Sequence, residues 1–111
     1  GEKAGKKDYI TTDNRLMDGV NYCETIPKTN ERTLTLLFTI TGASREDFTA
    51  KRDAFYQELD KGDVSIQVPA NDSKVYHLKL KDSTGTYAQN LERIFCKVGI
   101  KFIEPNPKNR T

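Results

Sequence analysis

The side chains best suited to chemistry are few and badly assorted. His77 is the only histidine. It sits in an alternating apolar–polar run, on the face opposite Tyr76, Leu78 and Leu80. Serines and aspartates are plentiful, so a Ser-His-Asp set can be drawn on paper. No GxSxG elbow holds a nucleophile in place for it, and the reading that the run supports is an exposed, inert strand histidine. Carboxylates pair at Glu46-Asp47 and at Glu58 with Asp60. The first pair reads as helix capping and the second as solvated helix surface, so general acid–base work has no candidate. Cys23 and Cys96 belong to no CxxC or His-rich cluster, which argues against zinc. A disulfide between them is compatible with a β fold, while two reduced thiols acting as small core hydrophobes is the simpler reading. No GxGxxG or GxxxxGK[ST] loop is present for a phosphate, and no DxDxDG loop for calcium. The reading therefore assigns no catalytic, cofactor-binding or metal-ligating residue, no cofactor, and no enzymatic activity.

Charge gives little more. The chain has 18 basic and 16 acidic residues in 111, a net of +2, which makes no case for nucleic acid or membrane. Lys74, Lys79, Lys81, Lys97 and Lys101 lie near Tyr76, Phe95 and Phe102, and such a mixture on a β face can bind single strands. Acids are nearly as common as bases, and no RNP-like run appears, so no nucleic-acid specificity is expected. No stretch resembles a signal peptide or a membrane span. Gly1 in place of Met reads as a trimmed or tagged start.

The elements that would position these residues follow from periodicity. Residues 1–7 read as a flexible, Lys-rich tail. Tyr9 to Ile26 is weakly β, with Asp18-Gly19 as a turn that folds 14–17 back on 20–24, although the alternation breaks at Leu16-Met17 and Tyr22-Cys23. In Arg32 to Thr41, Leu34, Leu36, Phe38 and Ile40 alternate with Thr33, Thr35, Leu37 and Thr39, the clearest strand in the chain. Ser44 then caps a helix with Asp47 three residues on. The helix runs to about Asp60, with Phe48, Phe55 and Leu59 on one stripe and Ala54 beside it; Lys51, Gln57 and Glu58 fall outside, and Gly62 stops it. Residues 63–81 read as a β-hairpin turning at Pro69–Ser73. Residues 82–86 read as another turn, and Tyr87–Leu91 is ambiguous. Ile94 to Phe102 alternates strictly as a last strand, ended by Glu104-Pro-Asn-Pro107, where proline cannot donate to a ladder. The sum is one domain, 1–111, mostly β with one α-helix: five to seven strands in a β-sandwich or small barrel with the helix packed against it, and residues 104–111 leaving as an extended tail.

One ordered set of motifs goes further. Arg32-Thr-Leu-Thr-Leu-Leu-Phe-Thr-Ile-Thr-Gly-Ala-Ser44 precedes the helix with Arg52-Asp-Ala-Phe55 and Leu59. Gly62-Asp-Val-Ser-Ile66 follows, then the strand of Tyr76, and Phe102-Ile-Glu-Pro-Asn-Pro-Lys-Asn-Arg110 closes the chain. The succession resembles the N-terminal domain of distal tail (baseplate hub) proteins of long-tailed bacteriophages and prophages, and their tail-tube relatives. It covers residues 32–110; residues 1–31 match poorly, and there is no room for the second domain that many distal tail proteins carry, as in a short variant or an excised domain. The resemblance implies a virion structural protein without enzymatic activity, a homo-oligomer, hexameric, in a ring around the tail channel. It would sit in the virion tail beside other tail proteins, and in the bacterial cytoplasm during assembly. Edge strands left open on a monomer would pair across subunits. A generic β-sandwich module binding carbohydrate or protein is the alternative, and it calls for exposed aromatics around Tyr22, Tyr87 or Phe95.

Overall fold

The computed structural model describes residues 9–13, 15–26, 33–69, 74–92 and 94–105, with the backbone alone for 82–88. The strands are β1 (Tyr9–Thr12), β2 (Arg15–Ile26), β3 (Thr33–Thr41), β4 (Asp63–Val68), β5 (Lys74–Gln89) and β6 (Phe95–Ile103), and the helix α1 (Arg45–Leu59) lies between β3 and β4. The chain is thus mostly β with one helix. Its strands close into an antiparallel barrel in the order β1-β2-β3-β6-β5-β4.

Alternation explains the closure. Leu34, Leu36, Phe38 and Ile40 of β3 stand opposite Phe102, Ile100, Val98 and Cys96 of β6, and all eight are buried. Val64 and Ile66 of β4 meet Leu78 and Tyr76 of β5 in the same way. A period of two sends every second side chain into the barrel, so one apolar set per strand fills a single core. Leu37, on the other face of β3, is buried as well.

The helix completes that core at one end. β3 and β4 lie three places apart in a ring of six, hence opposite one another, and α1 carries the chain from the end of one to the start of the other. It must therefore cross the barrel's end. Phe48, Phe55 and Leu59 are its buried apolar residues, and the Phe55 ring meets Phe38 edge-on at 5.1 Å between centroids. The corner leading into α1 is tight: a methyl on Gly42 would fall inside contact distance of the Phe48 backbone, so only glycine fits there. Ser44 caps the helix as expected, its Oγ accepting from the Asp47 amide at 3.1 Å. At the far end the Gly62 amide donates to the Leu59 carbonyl at 3.0 Å, and the chain enters β4.

Two expected turns are absent, for one physical reason. Asp18-Gly19 does not reverse the chain: it lies inside β2, and the reversal from β1 comes earlier, between Thr12 and Arg15, which pair with each other. Two steps along β1, Tyr9 to Thr11, correspond to five along β2, Asn21 to Leu16, so β2 bulges outward there. Gly19 makes the bulge feasible, with φ +79 and no side chain to meet Lys51 or the Thr41 carbonyl. Residues 82–86 likewise run on within β5, whose register against β6 shifts at three places, Leu80/Asp82, Ser83/Gly85 and Thr86/Ala88. Small and polar residues that serve a turn serve a bulge equally, and bulges bend a long strand around a barrel. Tyr87–Gln89 end β5, and the chain turns at Asn90–Glu92.

Three side chains also depart from expectation. Glu58, expected in solvent, is buried, whereas Ala54, expected beside the apolar stripe, is exposed. Glu104 is fully buried rather than the start of a solvated tail. Residues 1–7, 70–73 and 106–111, on which the tails and the Pro69–Ser73 turn were expected, lie partly or wholly outside the described residues. No helix among the described residues is long and apolar enough to cross a membrane.

Candidate functional site

A groove of about 680 Å³ lies between the bulge of β2 and the outer face of α1. Leu16, Met17 and Asp18 of the bulged β2 line one side of it, and the small residues Ala50 and Ala54 of α1 line the other. Leu16, on the groove's rim, is a large apolar side chain left 60% exposed. The middle of the groove is thus apolar and shallow.

Its two ends are charged. At one, Asp47 accepts hydrogen bonds from the Ala43 amide at 2.8 Å and the Lys51 ammonium at 2.9 Å, which hold its carboxyl below the usual range. Lys51 also lies 3.7 Å from Asp18, and its bond to Asp47 raises its own pKa. These pairs tie the bulge of β2 to the first half of α1. At the other end Lys61 donates to Glu58 at 2.9 Å, with Arg15 at 3.9 Å from the same carboxylate and Asp13 at 3.8 Å from Lys61. The Lys61 bond holds the Glu58 carboxyl below its ordinary value, against the burial that would raise it.

His77 is half-buried rather than fully exposed. It stands directly across from Ser65 in the β4–β5 ladder, with Nδ1 3.4 Å from the Ser65 Oγ. Shallow hollows of about 320 and 330 Å³ flank the pair, one reaching Pro105 and the other Thr11. That separation is long for a hydrogen bond to a hydroxyl, and cross-strand neighbours meet in this way without chemistry. A nucleophile would need a closer base, a group orienting that base and donors for an oxyanion; Ser65 and His77 alone supply none of these.

The other candidates scatter. Glu46 is exposed in the first turn of α1 beside Asp47, whereas Glu58 and Asp60 part company, one buried and one exposed. Cys96 lies in the core, where burial pushes its thiol pKa up, but Cys23 is exposed on β2 and is no core residue. The two are not bonded to each other. Tyr76 and Phe102 are buried, which removes both from any stacking surface for nucleic acid. Lys79 pairs with Asp63 at 2.9 Å. Tyr22 and Phe95 are half-buried, and the Tyr22 hydroxyl is bonded to Thr25 at 2.9 Å; the Tyr87 side chain lies outside the described residues. Among the described residues no group of three or more His, Cys, Asp and Glu side chains could hold a metal ion.

Sequence reasoning missed the groove. Lys51, Glu58 and Lys61 follow one another at three- and seven-residue spacings, which signals a common helix face. Nothing local in the sequence says that β2 passes alongside that face. Comparison with protein-family models and with curated proteins finds no match to this chain.

Proposed function

We propose that this chain is a non-enzymatic structural subunit of a phage or prophage tail, assembling as a hexameric ring at the tail tube or baseplate. The observation that carries the reading is the ordered motif from Arg32 to Arg110. Its parts from β3 to β5 form one continuous unit: a strand, a glycine corner, a Ser-capped helix closing the barrel end, a Gly62 stop and a hairpin. The partners are further copies of the chain and other tail proteins, and the location is the virion tail, with the bacterial cytoplasm as the place of assembly.

The means of assembly differs from open edges all round. A closed barrel leaves few free edges. Among the described residues, several stretches pair on one side only: β2 pairs with β1 only as far as Asn21, leaving Tyr22 to Ile26 on the β3 side alone, and β5 pairs with β4 alone over Lys74–Leu78 and with β6 alone over Asp82–Gln89. Ile26 is exposed on the first of these. An edge of this kind can accept a strand from a neighbour.

Mass spectrometry of tail fractions tests the reading, using particles released by induction of a host that carries the gene. Recovery of the chain at a stoichiometry of several copies per tail supports it. Purified particles that lack the chain overturn it.

A further inference from the structure

The hairpin tip between β5 and β6 carries Leu91, 95% exposed, the most exposed large apolar side chain among the described residues. Glu92 stands next to it, also exposed. An apolar side chain at a hairpin tip, out in water, gains nothing for its own subunit.

The β2–α1 groove is its counterpart in three respects. It is apolar at its middle, through Leu16, Met17, Ala50 and Ala54. It carries a cation with donors to spare: Arg15 is 68% exposed, and its charged partner among the described residues, Glu58, is at 3.9 Å, beyond hydrogen-bond reach. Glu92 beside Leu91 matches that cation in charge. Finally, groove and tip stand at the same end of the barrel. Antiparallel pairing puts the start of β2, the exit of β3 into α1 and the β5–β6 turn together there, and the Gly42 amide donates to the Ile94 carbonyl at 2.9 Å, continuing the β3–β6 ladder at that end.

They also lie on opposite flanks. In the ring order β1-β2-β3-β6-β5-β4, the β5–β6 pair is three places from the β1–β2 pair. A subunit therefore cannot fill its own groove with its own tip. A contact between two different patches, on opposite flanks and at one height, repeats around an axis instead of pairing two subunits face to face.

We infer that Leu91 of one copy seats in the β2–α1 groove of the next, with Glu92 against Arg15, and that this is the lateral contact between subunits. The inference rests on the assembly reading above and specifies its interface.

Sedimentation equilibrium on the full chain and its variants tests it. Leu91→Glu and Ala54→Glu each put a charge into the apolar contact and weaken association at least about tenfold. Leu91→Met keeps the apolar knob and stays within about threefold of wild type. Both altered residues are exposed, so circular dichroism and melting of the glutamate variants match wild type. Each glutamate variant alone is a monomer. An equimolar mixture forms a dimer and goes no further, because one intact tip and one intact groove remain between the two chains. Wild-type rings together with glutamate variants that still form rings would overturn this contact and leave the assembly reading standing. A wild-type chain that stays monomeric throughout would remove both.

Discussion

Truncation of Phe55 is the sharpest probe of how the helix closes the barrel. The ring is fully buried, and Phe38 of β3, equally buried, meets it edge-on at 5.1 Å and 71°. Phe55→Ala removes apolar area and leaves a cavity that strands on several sides cannot collapse to fill, a loss of about 3–5 kcal/mol. That is a large part of the roughly 5–15 kcal/mol that holds a domain folded. At about 4 °C per kcal/mol for a chain of this length, the melting temperature falls by roughly 12–20 °C. Thermal circular dichroism and urea titration read the change, with the urea slope checking that the denatured state is unaltered. Gln57→Ala, on the exposed face two residues on, stays within about 0.5 kcal/mol. A double-mutant cycle with Phe38→Leu returns a coupling of about 0.5–1.5 kcal/mol from the ring pair. A Phe55→Ala loss below about 1 kcal/mol, with the same slope, would refute the placement of α1 across the barrel end.

Three further outcomes follow from the same structure. Gly42→Ala drives a methyl into the Phe48 backbone and costs about 1–3 kcal/mol by urea titration; an unchanged midpoint would show that the corner has slack. Glu58 binds its proton less readily folded than unfolded, so its contribution is present above the ordinary carboxylate value of 4.5 and is lost as pH falls through the lower, folded one. Urea midpoints from pH 6 to 3 should therefore fall less steeply in Glu58→Gln than in wild type, and identical slopes would contradict the pairing with Lys61. A thiol reagent should modify Cys23 rapidly in the folded protein and Cys96 only with unfolding; rapid modification of both thiols without denaturant would place Cys96 outside the core.

The sequence made the elements legible where one period ran unbroken. β6 keeps a strict alternation and β3 departs from one only at Leu37, and Ser44 with Asp47 marks the start of α1 by a bond that the structure contains. Bulges were illegible because glycine, serine and threonine serve turns and bulges alike; only the strand across the ladder decides which. Gly19 inside β2 and the Ser83–Gly85 stretch inside β5 are both of this kind. Barrel closure depends on β3 meeting β6 across the whole helix and hairpin, a pairing that no local pattern encodes. Glu58 looked solvated because its helical position is outside the Phe48–Phe55–Leu59 stripe, yet Arg15 and Lys61 converge on it from outside α1. The groove needed that same non-local passage of β2, so neither it nor the part played by Leu91 could be read from spacing.

The central claim is that the chain works by assembly. Mass photometry and negative-stain electron microscopy of the full chain over a concentration series test it most directly. The account predicts discrete rings with a central channel and sixfold averages, growing at the expense of monomer as concentration rises. A single monomeric species up to millimolar concentration, with no rings on the grid and none on mixing with the other tail proteins of the same particle, would contradict it.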